Sequence, residues 1–207
     1  MYTCAMCSKH SCRSGVLDEA PKNCPCLEEG QESIIKRYLE EENRNLAYAS
    51  ARTEAEGYCK QTRLEETMNF ARKAGFQNLG IAFCLGLSKE ARILSKILTH
   101  NGFTVNSIIC KTGSIPKETI GIKESEKIKP NTYEPMCNPI EQALFLNKAK
   151  TELNIILGLC VGHDSMFINY SEAPVTVFAV KDRVLAHNPI GALYLSDGYY
   201  RSKLYPK

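Results

Sequence analysis

The 207-residue sequence contains no apolar stretch that approaches the roughly 20 residues of a membrane-spanning helix. Its N-terminus has cysteine and histidine where a secretory signal would have an apolar run. It also has no long run of one charge, because 26 basic and 23 acidic residues are mixed and give a net charge of only +3. These absences predict a cytoplasmic protein that binds neither a membrane nor nucleic acid.

Nucleotide-binding motifs are missing as well. The segment from Gly80 to Gly86 lacks the Gly-x-Gly-x-x-Gly turn of a dinucleotide site, and no Gly-x4-Gly-Lys-Ser/Thr phosphate loop occurs. The sequence has no repeat with a solenoid period and no low-complexity tract. Its length and its apolar content of 43% are instead typical of one main globular domain with a small appendage.

Alternating strand and helix patterns predict an α/β fold. Helical patterns separate four apolar runs, which predicts strands that pair in parallel through right-handed crossovers. The predicted strands are 79–85, 103–110, 153–160 and 175–180. We expect a Rossmann-like central parallel sheet of about four strands flanked by helices over 77–207, preceded by a helical segment over 31–76 and a Cys-rich metal-binding arm over 1–30.

Two segments outside the predicted strands have patterns of their own. Apolar spacing predicts one long amphipathic helix over 32–58, with a break near Asn43 to Asn45 as the alternative. Glycine and proline interrupt residues 111–136, so we expect an irregular insertion there. A loop of that length inside a compact domain is often functional, although a simple surface excursion is the alternative.

Ten cysteines are the most unusual feature, and five of them lie in the first 26 residues. In a reducing compartment, clustered cysteines are more often metal ligands or reactive groups than disulfides. This arm has too little apolar sequence to fold unaided, so a structural zinc ion would stabilise it. Thiolates also hold iron–sulfur clusters, and the spacing matches neither the zinc-ribbon nor the ferredoxin pattern closely. The candidate ligands are Cys4, Cys7, His10, Cys12, Cys24 and Cys26.

A second set of cysteines lies where the predicted strands end. Cys84, Cys110 and Cys160 lie at the ends of the first three predicted strands, and Cys137 precedes a helix that leads toward the third strand. Open parallel sheets bind ligands beyond the carboxyl ends of their strands, so these thiols should share one edge with two histidines. The predicted sheet-edge set comprises Cys84, Cys110, Cys137, Cys160, His163 and His187.

The sheet-edge set is compatible with more than one chemistry. It could hold zinc or an iron–sulfur cluster, and metal is favoured because several sulfurs are expected to be adjacent. Alternatively, Cys160 could be a nucleophile toward a small-molecule substrate, with His163 as its base and Asp164 orienting the histidine. Each cysteine could also be simple core packing. The sequence leaves open whether the protein is an enzyme, which substrate it takes and its oligomeric state.

Four strings of sequence resemble the DUF1847 family. They are Gly-Ile-Ala-Phe-Cys-Leu-Gly-Leu at 80–87, Met-Cys-Asn-Pro-Ile at 136–140, Gly-Leu-Cys-Val-Gly-His-Asp at 158–164 and Val-Lys-Asp-Arg-Val-Leu-Ala-His-Asn-Pro at 180–189. The resemblance extends over nearly the whole chain, including the arm. It implies metal binding and supplies no reaction. The family pattern has no cysteine at position 59, which agrees with leaving Cys59 out of both sets.

Overall fold

The computed structural model describes residues Met1–Pro206, which form two compact units. The first unit, Met1–Tyr58, contains the cysteine-rich arm and is mainly helical. Its elements are α1 (Ser11–Ser14), α2 (Gln31–Leu39), α3 (Glu41–Gly57) and short 3₁₀ turns at Cys4–Met6, Leu17–Glu19 and Pro25–Leu27.

The long helix predicted over 32–58 is in fact two helices. Glu40 leaves the helical conformation with a ψ of 139°, so α2 ends before it and α3 begins after it. The side chain of Asn43 donates to the Arg37 carbonyl at 3.0 Å and to the Glu40 carboxylate at 3.2 Å. The Arg37 carbonyl also accepts the Glu40 N–H at 3.3 Å, so Asn43 supplies a second donor at the end of α2. The break therefore falls at Glu40, and Asn43 stabilises it from the next turn.

The second unit begins at Cys59 and contains an all-parallel four-stranded sheet with the strand order β2-β1-β3-β4, which confirms the predicted fold class. Its elements are α4 (Arg63–Ala74), β1 (Asn78–Phe83), α5 (Ser88–His100), β2 (Thr104–Ile109), α6 (Pro139–Lys148), β3 (Leu153–Leu157), α7 (His163–Tyr170), β4 (Val175–Ala179), α8 (Ile190–Tyr194) and α9 (Arg201–Leu204). Among the helices of residues 1–206, none is both long and apolar enough to span a bilayer.

Helices cover both faces of the sheet. Ile81 and Ile155 pack into a core cluster with α4 and α5, whereas Ala82 and Ile156 pack on the opposite face with α6 and α7. The central strands β1 and β3 are therefore buried on both faces, which explains why their sequences are almost continuously apolar. The carboxyl ends of the four strands meet at one edge of this layered structure.

The predicted insertion lies between β2 and α6 and has a defined conformation. Its Lys127 side chain is almost fully buried and forms ion pairs with Glu118 and Glu124. An isolated antiparallel bridge joins Pro116 to Pro135, which closes the base of the insertion. The insertion contains 3₁₀ turns at Thr112–Ser114, Lys117–Ile120 and Glu124–Glu126.

Candidate functional site

A cavity of about 610 Å³ opens at the carboxyl edge of the sheet. All four cysteines of the sheet-edge set line it: Cys84 follows β1, Cys110 follows β2, Cys137 precedes α6 and Cys160 follows β3. His163, the first residue of α7, lines it as well. The structure thus brings five of the six members of this set to one cavity.

The hydrogen bonds of the sheet fix where two of the sulfurs lie. The Cys84 N–H donates to the Leu157 carbonyl at 3.2 Å, and the Cys110 N–H donates to the Phe83 carbonyl at 2.9 Å. Each cysteine therefore extends the parallel ladder one position past its strand. Because neighbouring strands of this sheet pair in register, Cys84 and Cys110 lie side by side at the edge.

The beginning of α6 holds Cys137 against Cys110. The Asn138 N–H donates to the Cys110 carbonyl at 2.8 Å, and the Asn138 side chain caps α6. The fully buried Gln142 donates from Nε2 to two carbonyls near the ends of β1 and β2, at 3.2 and 2.7 Å. These contacts anchor the first turn of α6 to the sheet. The sulfurs of Cys110 and Cys137 consequently lie 3.9 Å apart.

Cys84 is ionised more readily than an ordinary cysteine. Its interaction with the Cys110 thiol, together with a Gly86 N–H and the Lys181 ammonium, lowers the pKa of Cys84 to about 5 against the opposing effect of burial. Lys181 lies close to the backbone of both Gly86 and Gly158, since a Cβ at these positions would be 3.5 and 3.6 Å from its Nζ, an ordinary van der Waals contact. Cys84 is therefore a thiolate at neutral pH.

Cys137 is a second thiolate. Hydrogen bonds from Cys110 and His163, with a contribution from the charge of Lys111, lower the pKa of Cys137 to about 4. The same contact with Cys137 raises the pKa of His163. The interactions with Cys137 and then Cys84 raise the pKa of Cys110. Cys110 is thus the protonated member of the cluster, and its single S–H can donate to only one of its two neighbours at a time.

Cys160 has a different partner from the predicted His163. The Arg183 guanidinium donates to the Cys160 sulfur at 3.2 Å, and this contact raises the pKa of Arg183. His163 interacts with Cys137 instead, and the Asp164 carboxylate accepts a hydrogen bond from the next backbone N–H at 2.8 Å. The geometry therefore places a Cys–His pair at Cys137, while Cys160 lies beside a fixed cation.

His187 is not among the residues that line the cavity. Its Nδ1 accepts a hydrogen bond from the Asp182 N–H at 3.1 Å, and its own N–H donates to the Asp182 carbonyl at 2.9 Å. His187 itself adopts a left-handed conformation with a φ of 66°. These two hydrogen bonds close the turn that carries Arg183, so His187 positions the turn.

Among the predicted ligands of the arm, Cys4, Cys12 and Cys24 interact with Cys26. A hydrogen bond with Cys24, followed by burial and the charges of Cys24, Cys12 and Cys4, raises the pKa of Cys26. Cys7 ends the first 3₁₀ turn, and His10 precedes α1 in a left-handed conformation. All ten cysteines of the chain are free thiols.

The spacing of the sheet-edge sulfurs fits a metal ion only in part. Among residues 1–206, no group of three or more His, Cys, Asp or Glu side chains is arranged to hold one. Two sulfurs that share a tetrahedral zinc ion at about 2.3 Å lie roughly 3.8 Å apart. The 3.9 Å between Cys110 and Cys137 meets this requirement. A third ligand would require rotation of a side chain, and Cys84 already interacts with Cys110.

Sequence patterns identified the cationic side chains of the cavity only in part. Lys111, Lys181 and Arg183 line it beside the cysteines. The sequence favours a solvated turn for the Lys-Asp-Arg segment at 181–183, with charge supplied to the sheet edge as the alternative. The informative signal is position, because Lys111 directly follows Cys110 and Lys181 comes two residues after β4.

The fold and the cavity define an α/β protein with a thiol-rich, cationic site at the carboxyl edge of its sheet. A family described as "Protein of unknown function (DUF1847)" matches residues 24–178. The chain is also similar to uncharacterized protein MJ0455 of Methanocaldococcus jannaschii, with 46% identity over 201 residues that cover 97% of each chain. It therefore belongs to the DUF1847 family. No solved structure matches it.

Proposed function

We propose that the protein binds a thiophilic metal ion, zinc or the iron of an iron–sulfur cluster, through Cys84, Cys110 and Cys137. The observation that carries the proposal is the convergence of these thiols, from three separate segments of the chain, in one cavity. The sulfurs of Cys110 and Cys137 have the spacing of two ligands of one ion. Cys160 and His163 line the same cavity and are the candidate fourth ligands.

The ionisation of the three thiols also supports a bound cation. Cys110 is held protonated because Cys137 and Cys84 on either side carry negative charge. A divalent cation would stabilise all three groups as thiolates, and proton release normally accompanies metal binding by cysteine. Lys111 and Lys181 would then balance part of the negative charge of the metal–thiolate unit.

For the arm, we propose a second and structural metal, with zinc as the first candidate. Cys4, Cys12 and Cys24 lie within electrostatic reach of Cys26, and Cys7 and His10 are available as alternative ligands in the same segment. A metal would supply the stabilisation that the few apolar residues of the arm do not. The proposal includes a reducing compartment, the cytoplasm, because both sites require free thiols.

The experiment is metal analysis of protein purified without oxygen, combined with visible absorbance to separate zinc from an iron–sulfur cluster. Cys110→Ser should lose the metal of the sheet edge only, and the double variant Cys24→Ser/Cys26→Ser should lose that of the arm only. Cys59→Ser is the matched control and should retain both. The sheet-edge proposal is wrong if Cys110→Ser keeps the full metal content, or if wild-type protein stays metal-free after loading with zinc or iron.

A thiol-dependent enzyme is the second candidate, and the pairing of Cys137 with His163 is the observation that favours it. A thiolate beside an imidazolium is an activated nucleophile in the general sense. In this alternative Cys137 attacks a small electrophile and His163 holds a proton for the leaving group. The metal-free protein should then be alkylated at Cys137 more rapidly than at the exposed Cys59 at pH 6, as peptide mass spectrometry would show.

A further inference from the structure

We propose that the sheet-edge cavity binds a small organic anion that has an apolar body and a carboxylate, with the carboxylate placed between Lys181 and Arg183. This inference goes beyond the metal site and does not require it. It rests on two groups of residues in the cavity wall, cationic side chains and large exposed apolar side chains. Its volume of about 610 Å³ is within the usual range for small-molecule sites.

The cationic side carries more positive charge than the protein itself neutralises. Lys117 is paired with Glu134, but Lys111, Lys181 and Arg183 have no carboxylate within ion-pair distance in the described part of the chain. The thiolates offset only part of this charge. A bound divalent metal would add positive charge as it recruits the third thiolate, so an excess would remain in either state.

The apolar side consists of large side chains that remain more than half exposed to solvent. Ile120 and Ile128 of the insertion line the cavity while 62% and 80% exposed, and Leu85 lines it at 53%. Isolated exposed apolar residues are common, but three that face one cavity form a surface that an apolar ligand would remove from water.

Ion pairs within the insertion hold its part of the apolar side in place in the absence of a ligand. Lys127, adjacent to Ile128, is fixed by Glu118 and Glu124, and its Nζ also donates to the Thr132 carbonyl at 3.2 Å. The wall is therefore preorganised, which reduces the ordering cost of binding. The cationic side is fixed independently, because the turn that carries Arg183 is closed by His187.

The experiment is isothermal titration of the full chain with hexanoate, hexanamide and acetate, once as purified and once after removal of metal by a chelator. Hexanoate should bind at least tenfold tighter than hexanamide, since a hydrogen bond to a charged group contributes about that much. It should also bind at least tenfold tighter than acetate, which lacks the apolar chain. Lys181→Met should weaken hexanoate binding about tenfold.

Lys96→Met is the control for the loss of one positive charge, because Lys96 lies on α5 and does not line the cavity. Arg183→Met is a second test should Lys181→Met fail to fold, and circular dichroism checks each variant. Equal affinities for hexanoate and hexanamide, equal effects of Lys181→Met and Lys96→Met, or absence of hexanoate binding at millimolar concentration would each overturn the inference. Hexanoate binding by metal-free protein would support it even if the metal proposal fails.

Discussion

The alkylation of Cys84 and Cys137 should be almost independent of pH between pH 6 and pH 8 in metal-free protein. The depressed pKa values of these thiols, about 5 and about 4, make both of them thiolates across this range. Only the thiolate reacts with iodoacetamide, so the rate follows the ionised fraction. The perturbation is therefore a change of pH alone, with no change to the protein.

The expected magnitude follows from the ionised fractions. An ordinary cysteine with a pKa of about 8.5 is about 0.3% thiolate at pH 6 and about 24% at pH 8, so its rate rises about 80-fold. Cys84, with its pKa of about 5, is already about 90% thiolate at pH 6, so its rate should rise by only about a tenth. Intrinsic reactivity and limited access cancel in this ratio, because they affect both rates equally.

The assay is timed labelling by iodoacetamide under reducing, metal-free conditions, with N-acetylcysteine as the reference thiol and peptide mass spectrometry as the readout. Lys181→Met should raise the pKa of Cys84 and steepen its profile, whereas the control Lys96→Met should leave it flat. A rise of tens of fold at both Cys84 and Cys137, parallel to the reference, would refute the reasoning that the cluster stabilises thiolates.

Three further predictions concern stability and can be measured by chemical unfolding. Gly158→Ala should lower the free energy of unfolding by about 2 kcal/mol or more, because its φ is +68° and a Cβ would lie 2.1 Å from Leu87 Cδ1. The control Gly102→Ala, with a φ of +91° and open space around the new Cβ, should lower it by about 1 kcal/mol. Equal losses would contradict the role of that contact. Gln142→Leu should lower the free energy of unfolding by about 2 kcal/mol, because the two hydrogen bonds that anchor α6 to the strand ends are lost. Thr62→Ala should cost about 1 kcal/mol through loss of the capping box of α4, and an unchanged midpoint would refute that role.

The central strands were predictable because a strand buried on both faces has an almost continuously apolar sequence. The apolar run that begins at Leu79 is β1, and the run that begins at Leu153 is β3, the two central strands. The break in the first long helix was harder to place. Glu40 is neither proline nor glycine, and the side chain of Asn43 bridges the break with hydrogen bonds that no periodicity reveals.

The location of the sheet-edge cysteines could be predicted, but their chemical environment could not. Topology alone places residues that follow parallel strands at one edge. The pairing of His163 with Cys137, and of Arg183 with Cys160, depends on how α7 and the turn after β4 orient their side chains. Those orientations arise from tertiary contacts that a single sequence does not display.

The sulfurs and the apolar wall of the cavity are held in place by different parts of the chain, and the insertion between β2 and α6 holds only the wall. The sulfurs are positioned by strand ends and by the hydrogen bond from Asn138 to Cys110, whereas the apolar wall is stabilised within the insertion by Lys127 and its two glutamates. Relatives could therefore exchange or resize the insertion and change which ligand fits, while the thiol chemistry stays intact. Under the two proposals, the insertion would set which ligand binds, and the strand ends would set the thiol chemistry.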